Sequence, residues 1–379
     1  MVQKMKIKNA LVFNENGFFE KKDIFVENGR FAGNSGGEDI DASGCYLIPG
    51  LTDIHFHACK GMDFSDGTLE AIRILAEYEA QNGITTMVPA TMTFPEDVLI
   101  NIAATASKYR QEENLVQGRA ELVGINMEGP FISFAKKGAQ NPDYIQKTDI
   151  DMLRRIIKAS GGCVKLCDIA PETDGAMEFI KEASKECSIS LAHTDCDYET
   201  AKEAFENGAS HMTHLFNAMN PIHHRKPGPI TAAAENEKVV VELITDGVHI
   251  NPAVVRLCFK IFGKERIAII SDSTMATGLG DGEYTLGGQR IVADGKVARL
   301  EDGTIAGSIT NQMKCMTRAV LEMGISLEDA VHAAAVTPAK AVGIYDRVGS
   351  ISDGKDANFV LLDRKNLEIR KVFIRGFAV

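Results

Sequence analysis

Between residues 46 and 271, short apolar runs alternate with amphipathic stretches eight times over. The apolar runs lie at 46–57, 85–90, 121–128, 164–170, 188–193, 211–214, 239–245 and 267–271. Residues 69–82, 150–159, 176–187, 198–207 and 252–262 carry apolar positions at helical spacing, as with Met152, Ile156 and Ile157. Short runs that are apolar on both faces predict strands covered on both sides, hence a parallel sheet with helical crossovers. Eight such units predict an α/β fold, a (β/α)8 TIM-like barrel whose chemistry sits at the C-terminal ends of its strands.

The first fifty residues lack that period. They read as short strands at 5–13 and 18–26, and before Gly44, with turn signals at Asn16-Gly17, Asn28-Gly29 and Gly36-Gly37. The last thirty look alike: 358–362 and 372–379 are strand-like, bounded by Asp353-Gly354 and Arg375-Gly376. Two β-rich ends around a different middle predict one small β-sandwich built from both termini, residues 1–50 and 346–379, flanking a barrel over 51–345. A hairpin insert is expected near 282–309. A chain of 379 residues accommodates both units, since such a barrel takes about 250.

Charge and cysteine usage narrow the function. The formal net charge is −11, which disfavours nucleic acid because phosphate backbones are repelled. Taken alone it also disfavours a small anionic ligand. Eight scattered cysteines without paired knuckles read as reduced thiols. The amino-terminal stretch has no unbroken apolar run, and no segment reaches 18 apolar residues free of charge. The expectation is a cytoplasmic protein without a membrane partner.

The candidate chemistry lies at the strand ends. His55 and His57 close the first run as Asp-Ile-His-Phe-His. In a strand, residues two apart face the same side, so both imidazoles reach one metal. Glu128 ends the third run, His193 the fifth, His214 the sixth and Asp272 the eighth. In a barrel these nitrogen and oxygen donors converge on one face, a set suited to Zn²⁺ or a similar divalent ion.

These residues resemble a known family, the N-acetylglucosamine-6-phosphate deacetylases of the amidohydrolase superfamily. The resemblance runs along essentially the whole chain. It is carried by Pro49-Gly50-Leu51-Thr52-Asp53-Ile54-His55-Phe56-His57, Met127-Glu128-Gly129-Pro130-Phe131 and Ala192-His193-Thr194-Asp195. It continues through Thr213-His214-Leu215-Phe216-Asn217-Ala218-Met219, Asp246-Gly247-Val248-His249, Ser271-Asp272-Ser273 and Ile305-Ala306-Gly307-Ser308. The tail from Gly349-Ser350-Ile351 to Asp356-Ala357-Asn358 is similar to the superfamily's second β-segment.

By that resemblance, Glu128, His193 and His214 hold a primary divalent metal. His55 and His57 hold a second, with Glu128 bridging, so one or two ions are expected: zinc first, iron or manganese as alternatives. Asp272 is implied as the general base and then the general acid of amide hydrolysis. The implied substrate is N-acetylglucosamine 6-phosphate, giving glucosamine 6-phosphate and acetate in amino-sugar catabolism and cell-wall sugar recycling. Arg225, in the basic loop His223-His224-Arg225-Lys226, matches a phosphate-binding arginine that the family supplies across a homodimer interface. His249, Asn217, Ala218 and Ser308 are implied on the sugar-phosphate side. Gln140 stands where some relatives carry a histidine; it can donate a hydrogen bond but cannot titrate. Cys59 reads as a small loop residue, and His211 and His332 as structural.

Two catalytic alternatives stay open. One is the same chemistry on N-acetylgalactosamine 6-phosphate. The other is a cyclic amidase of the dihydroorotase or hydantoinase type. Against the latter, Lys165 opens the fourth strand, whereas a carboxylated bridging lysine would stand at its C-terminal end. The ligand set and Asp272 argue against a non-catalytic scaffold. A sugar-phosphate-binding regulator is the remaining binding-module option, which metal content together with acetate release would separate from an enzyme.

Overall fold

The computed structural model describes residues 4–34 and 36–379. Residues 1–3, the start of the expected terminal module, and Ser35 lie outside the described residues. Among the described residues, eight parallel strands form the expected barrel: Leu51–Asp53, Ile84–Met87, a third in two pieces (Glu121–Leu122 and Ile125–Met127), Val164–Ile169, Ser188–Leu191, His211–Met212, Val240–Ile244 and Ile267–Ile270. Neighbours in sequence pair in parallel around the sheet. Between the eighth strand and the first, side chain and loop take over from the ladder. The Gln312 side-chain amide donates to the Thr52 and Ile269 carbonyls at 2.7 Å each. The Asp272 N–H donates to the His55 carbonyl at 2.9 Å.

All five expected helices form: Leu69–Gln81, Ile150–Ala159, Ala176–Ala183, Tyr198–Glu206 and Pro252–Phe262. Their starts are written locally. Thr68, Asp149, Asp197 and Asn251 each accept a first-turn N–H, and Pro252 stands where no N–H is needed. No helix among the described residues is long and apolar enough to cross a membrane.

The first apolar run is not one strand. Cys45–Pro49 pairs with Leu11–Phe13 and Phe359–Asp363, in a sheet drawn from both chain ends. Leu51–Asp53 belongs to the barrel. Gly50 is the crossing point, because a Cβ there would lie 2.2 Å from Thr85 Oγ1. His55 and His57 therefore lie beyond the strand, and the loop rather than the two-residue strand period places them.

Among the described residues the terminal strands form two sheets. One has the order Arg30–Ala32, Ile24–Glu27, Lys4–Lys8, Glu38–Asp41; the other runs Phe377–Ala378, Ile369–Ile374, Phe359–Asp363, Cys45–Pro49, Leu11–Phe13, Phe19–Lys21. Ile7, Val12, Val26 and Phe31 pack with Leu47, Phe359 and Phe373 in their shared core. The expected strand at 5–13 breaks at Asn9, whose φ of 68° is left-handed. The segment near 282–309 forms three antiparallel strands, Gly282–Leu286, Gln289–Asp294 and Val297–Arg299. Gln289 ties it to the barrel mouth by donating to the Ala139 carbonyl at 2.6 Å.

Candidate active site

Except for His57, which lies four past Asp53, each candidate ligand stands one or two residues beyond a barrel strand. Glu128 follows Met127, while His193, His214 and Asp272 each stand two past Leu191, Met212 and Ile270. The φ angles of His193, His214 and Asp272 are 43°, 28° and 49°. A non-glycine residue held there costs about 1–3 kcal/mol, and such strain gathers at functional sites. Here it recurs at the same position after three strands, where the chain turns across the barrel mouth.

The side chains converge on the Glu128 carboxylate. Its Oε1 lies 3.1 Å from His214 Nε2, 3.2 Å from His193 Nε2 and 3.4 Å from His55 Nε2. Its Oε2 lies 3.3 Å from His57 Nε2, which is also 3.3 Å from Asp272 Oδ1. His193 Nε2 and His214 Nε2 are 3.2 Å apart. All six residues are buried. They form two groups able to hold a metal ion: Glu128 with His193 and His214, and His55 with His57 and Asp272.

Three of the imidazoles have their far nitrogen committed. His55 Nδ1 faces Glu242 at 2.9 Å, His57 Nδ1 faces the Ala90 carbonyl at 3.2 Å, and His193 Nδ1 faces the Lys136 carbonyl at 2.9 Å. A neutral imidazole carries one N–H, so donation from Nδ1 leaves Nε2 as a lone pair aimed at a carboxylate. Among buried atoms, His55 Nε2 has no hydrogen-bond partner. Lone pairs facing one another and a carboxylate repel unless a cation lies among them. Ligands of a tetrahedral ion at 2.0–2.1 Å sit about 3.3 Å apart, close to the observed spacing. The donor set therefore fits a divalent metal, with acceptors behind the histidines that select the tautomer.

Burial opposes the charge of Glu128, yet His55, His193 and His214 hold its carboxyl well below the usual range. Burial likewise opposes the Asp272 charge, but the His57 contact and the charges of His55 and His57 bring its carboxyl below the ordinary value.

A cavity of about 280 Å³ opens on these groups and is lined also by Gln140, Asn217, Ala218 and His249. His249 Nδ1 pairs with Asp246 Oδ2 at 2.8 Å. Burial lowers the His249 pKa, but Asp246 outweighs it and the net shift is upward. Two expected residues stand apart from the cavity. Ser308 is buried beside it, its hydroxyl donating to the Ser271 carbonyl at 2.6 Å and its N–H to the Asp272 carbonyl at 2.7 Å. It braces the Asp272 turn, and its neighbour Gly307 does the lining. Arg225 is exposed, donates to His224 Nε2 at 2.8 Å, and borders a separate surface cavity with Asp195, Tyr198 and Asn220.

Residues 46–379 match the model of the amidohydrolase family. The chain belongs to the amidohydrolase family. It is 33% identical to the N-acetylglucosamine-6-phosphate deacetylase of Bacillus subtilis (strain 168), over 99% of this chain and 97% of that one. It is 32% identical to the N-acetylgalactosamine-6-phosphate deacetylase of Escherichia coli O157:H7, over 87% of this chain and 86% of that one. Among solved structures, a mutant N-acetyl-D-glucosamine-6-phosphate deacetylase from Mycobacterium smegmatis, in complex with N-acetyl-D-glucosamine-6-phosphate, superposes with a TM-score of 0.90. That structure is 29% identical, covering 100% of this chain and 99% of that one.

Glu128 belongs to one donor group and faces the imidazoles of the other, His55 at 3.4 Å and His57 at 3.3 Å. Lys165 packs at the opening of the fourth strand, against Gly124. Sequence reading passed over two acidic residues. Glu242 lies in the seventh strand and is fully buried. Burial pushes its carboxyl up, but His55 and His211 bring it down to about 2. Its signal was a single charge inside the apolar run Val-Val-Glu-Leu-Ile. Asp246, the partner of His249, was visible only as part of the Asp-Gly-Val-His motif.

Proposed function

We propose that this amidohydrolase removes the N-acetyl group of N-acetylglucosamine 6-phosphate, releasing glucosamine 6-phosphate and acetate. The observation that carries the reading is the Glu128-centred cluster opening, with Asp272, on the 280 Å³ cavity. It is supported by relatives of that name at about 30% identity over nearly the full chain.

Glu128, His193 and His214 would hold one ion, and His55 and His57 a second, with Glu128 shared. Imidazole and carboxylate donors favour zinc, with iron or manganese as alternatives. Bound there, the ion supplies Lewis acidity toward the amide carbonyl and lowers the pKa of water toward 7.

The chain's own residues do the rest. Asp272 starts ionised, because its contacts outweigh burial. Its backbone is clamped on both sides, the N–H donating to His55 and the carbonyl accepting from Ser308. It takes a proton from the attacking water and delivers it to the amine nitrogen as the C–N bond breaks, since an unprotonated amine is a poor leaving group. His249, steadied by Asp246, gives the cavity a cationic wall for phosphate, with Asn217 and Ala218 beside it. Arg225 would complete that pocket in a second copy of the chain, making the protein a homodimer. A local cationic wall accommodates an anionic substrate despite the net charge of −11.

The division into a β-module of residues 1–50 and 346–379 and a barrel of 51–345 belongs to the same proposal, supported by the sheet shared between the chain ends. A cytoplasmic location is supported by eight cysteines that are all free thiols.

The second reading, the galactosamine epimer, is favoured by the relative of that name. Acetate release should be measured on both N-acetylhexosamine 6-phosphates and their unphosphorylated forms, with and without chelator. We expect release from the gluco 6-phosphate, abolished by chelation. A faster galacto substrate would shift the conclusion to the epimer, and no release from any of them would overturn it.

A further inference from the structure

Glu242 sits in the middle of the seventh strand, between the buried Val241 and Leu243. A carboxylate inside a barrel core persists only when donors satisfy it. Three do so here. Oε2 accepts from His55 Nδ1 at 2.9 Å and from the His214 backbone N–H at 3.1 Å, and Oε1 accepts from His211 Nε2 at 3.1 Å. Glu242 thus touches one member of each donor group: His55 through its ring and His214 through its backbone.

We propose that Glu242 is the positioning residue that makes His55 a metal ligand. Glu242 Oε2 already acts as an acceptor toward the His214 backbone N–H, so the His55 ring donates to it from Nδ1. The lone pair is then on Nε2, which faces Glu128 Oε1 at 3.4 Å. The charge behind the ring also raises its basicity. His211 fills the remaining acceptor oxygen, which keeps Glu242 turned toward His55. The inference rests on the metal reading of the two donor groups and adds a dependency that reading does not contain: occupancy of the His55 side requires Glu242.

The test is a Zn²⁺ titration of the metal-free protein by calorimetry, in wild type, His55→Ala, Glu242→Gln, Glu242→Leu and His211→Gln. Co²⁺ absorption serves as a spectroscopic signature of each site. Glu242→Gln is expected to weaken the His55-dependent binding event about 10–100-fold. It should shift the cobalt bands of that event while the event held by Glu128, His193 and His214 stays within a few fold. Glu242→Leu, with no acceptor, should lose the His55-dependent event, and His211→Gln should keep it. A merely structural role would weaken both events together and lower the denaturation midpoint of the metal-free protein; that result overturns the proposal. So does a Glu242→Gln that titrates as wild type while His55→Ala loses an event. If His55→Ala itself titrates as wild type, the metal reading of His55 falls along with the proposal.

Discussion

Gln140 donates from Nε2 to Glu128 Oε2 at 2.5 Å while its Oε1 accepts the Thr93 N–H at 2.8 Å. Both ends of the amide are committed, and the side chain is buried. The contact holds the rotation of the Glu128 carboxylate, which faces four imidazoles. Gln140→Leu keeps much of the volume and removes the donor. We expect metal affinity or kcat to fall about 10–100-fold, as for other residues behind metal ligands. Chelator competition and steady-state kinetics check this. A Gln140→Leu protein with wild-type affinity and kcat would show that the contact positions nothing.

Asp272→Asn keeps the shape of the turn held by His55 and Ser308 and removes the carboxylate proposed as the base. Zinc content should stay near that of wild type while kcat falls about 10²–10⁴-fold. Retained kcat in a metal-replete Asp272→Asn protein would move the proton transfer to another group.

Arg225 stands outside the catalytic cavity of its own chain, so in the proposed homodimer it would meet the phosphate of the partner's site. Arg225→Gln should raise KM for the phosphorylated substrate and leave the unphosphorylated one unchanged. Arg225→Gln and Asp272→Asn subunits, co-expressed and assayed at low substrate, should complement each other. Under two-fold symmetry, random pairing gives roughly a quarter of the wild-type sites both groups. Activity no greater than the mean of the two parent proteins would place Arg225 outside the partner's site.

The Asp246–His249 pair sets a pH dependence. Asp246 raises the His249 pKa above the ordinary 6.5 against the effect of burial. The imidazolium is present below that raised pKa and lost as pH climbs through it, so KM for the phosphorylated substrate should rise on the alkaline side. Asp246→Asn removes the supporting charge, lowers the His249 pKa and should move the rise to lower pH. A KM profile unchanged by Asp246→Asn would detach His249 from phosphate binding.

Gly50→Ala puts a Cβ 2.2 Å from Thr85 Oγ1 and 2.8 Å from Thr85 Cβ. Thr85 is buried, so relief requires backbone movement between the first two barrel strands. We expect about 1–3 kcal/mol of destabilisation, read as a lower denaturant midpoint and partly recovered by Thr85→Ala. An unchanged midpoint would mean that the crossing has slack.

Much of the site was legible because its residues carry their own local signals. Glu128, His193, His214 and Asp272 follow apolar runs short enough to be strands, and strand ends are where this fold exposes side chains. The helices were legible for a related reason: each cap bonds to an N–H two or three residues away. The split at Gly50 was not legible, because the strand before it and the strand after it are both buried and apolar. The placing of Ser308 was missed too, since its hydroxyl turns inward to Ser271, 37 residues away.

The amino-acid sequence by itself determined the eightfold alternation, the types of the metal-capable donors and the family resemblance, because period, polarity and motif are properties of neighbours along the chain. Tertiary structure decided which nitrogen of each imidazole faces Glu128, which carboxylate stands behind His55, and on which side of the subunit Arg225 lies. Those depend on contacts such as His55 with Glu242, 187 residues apart, and closure of the barrel is what brings such residues together.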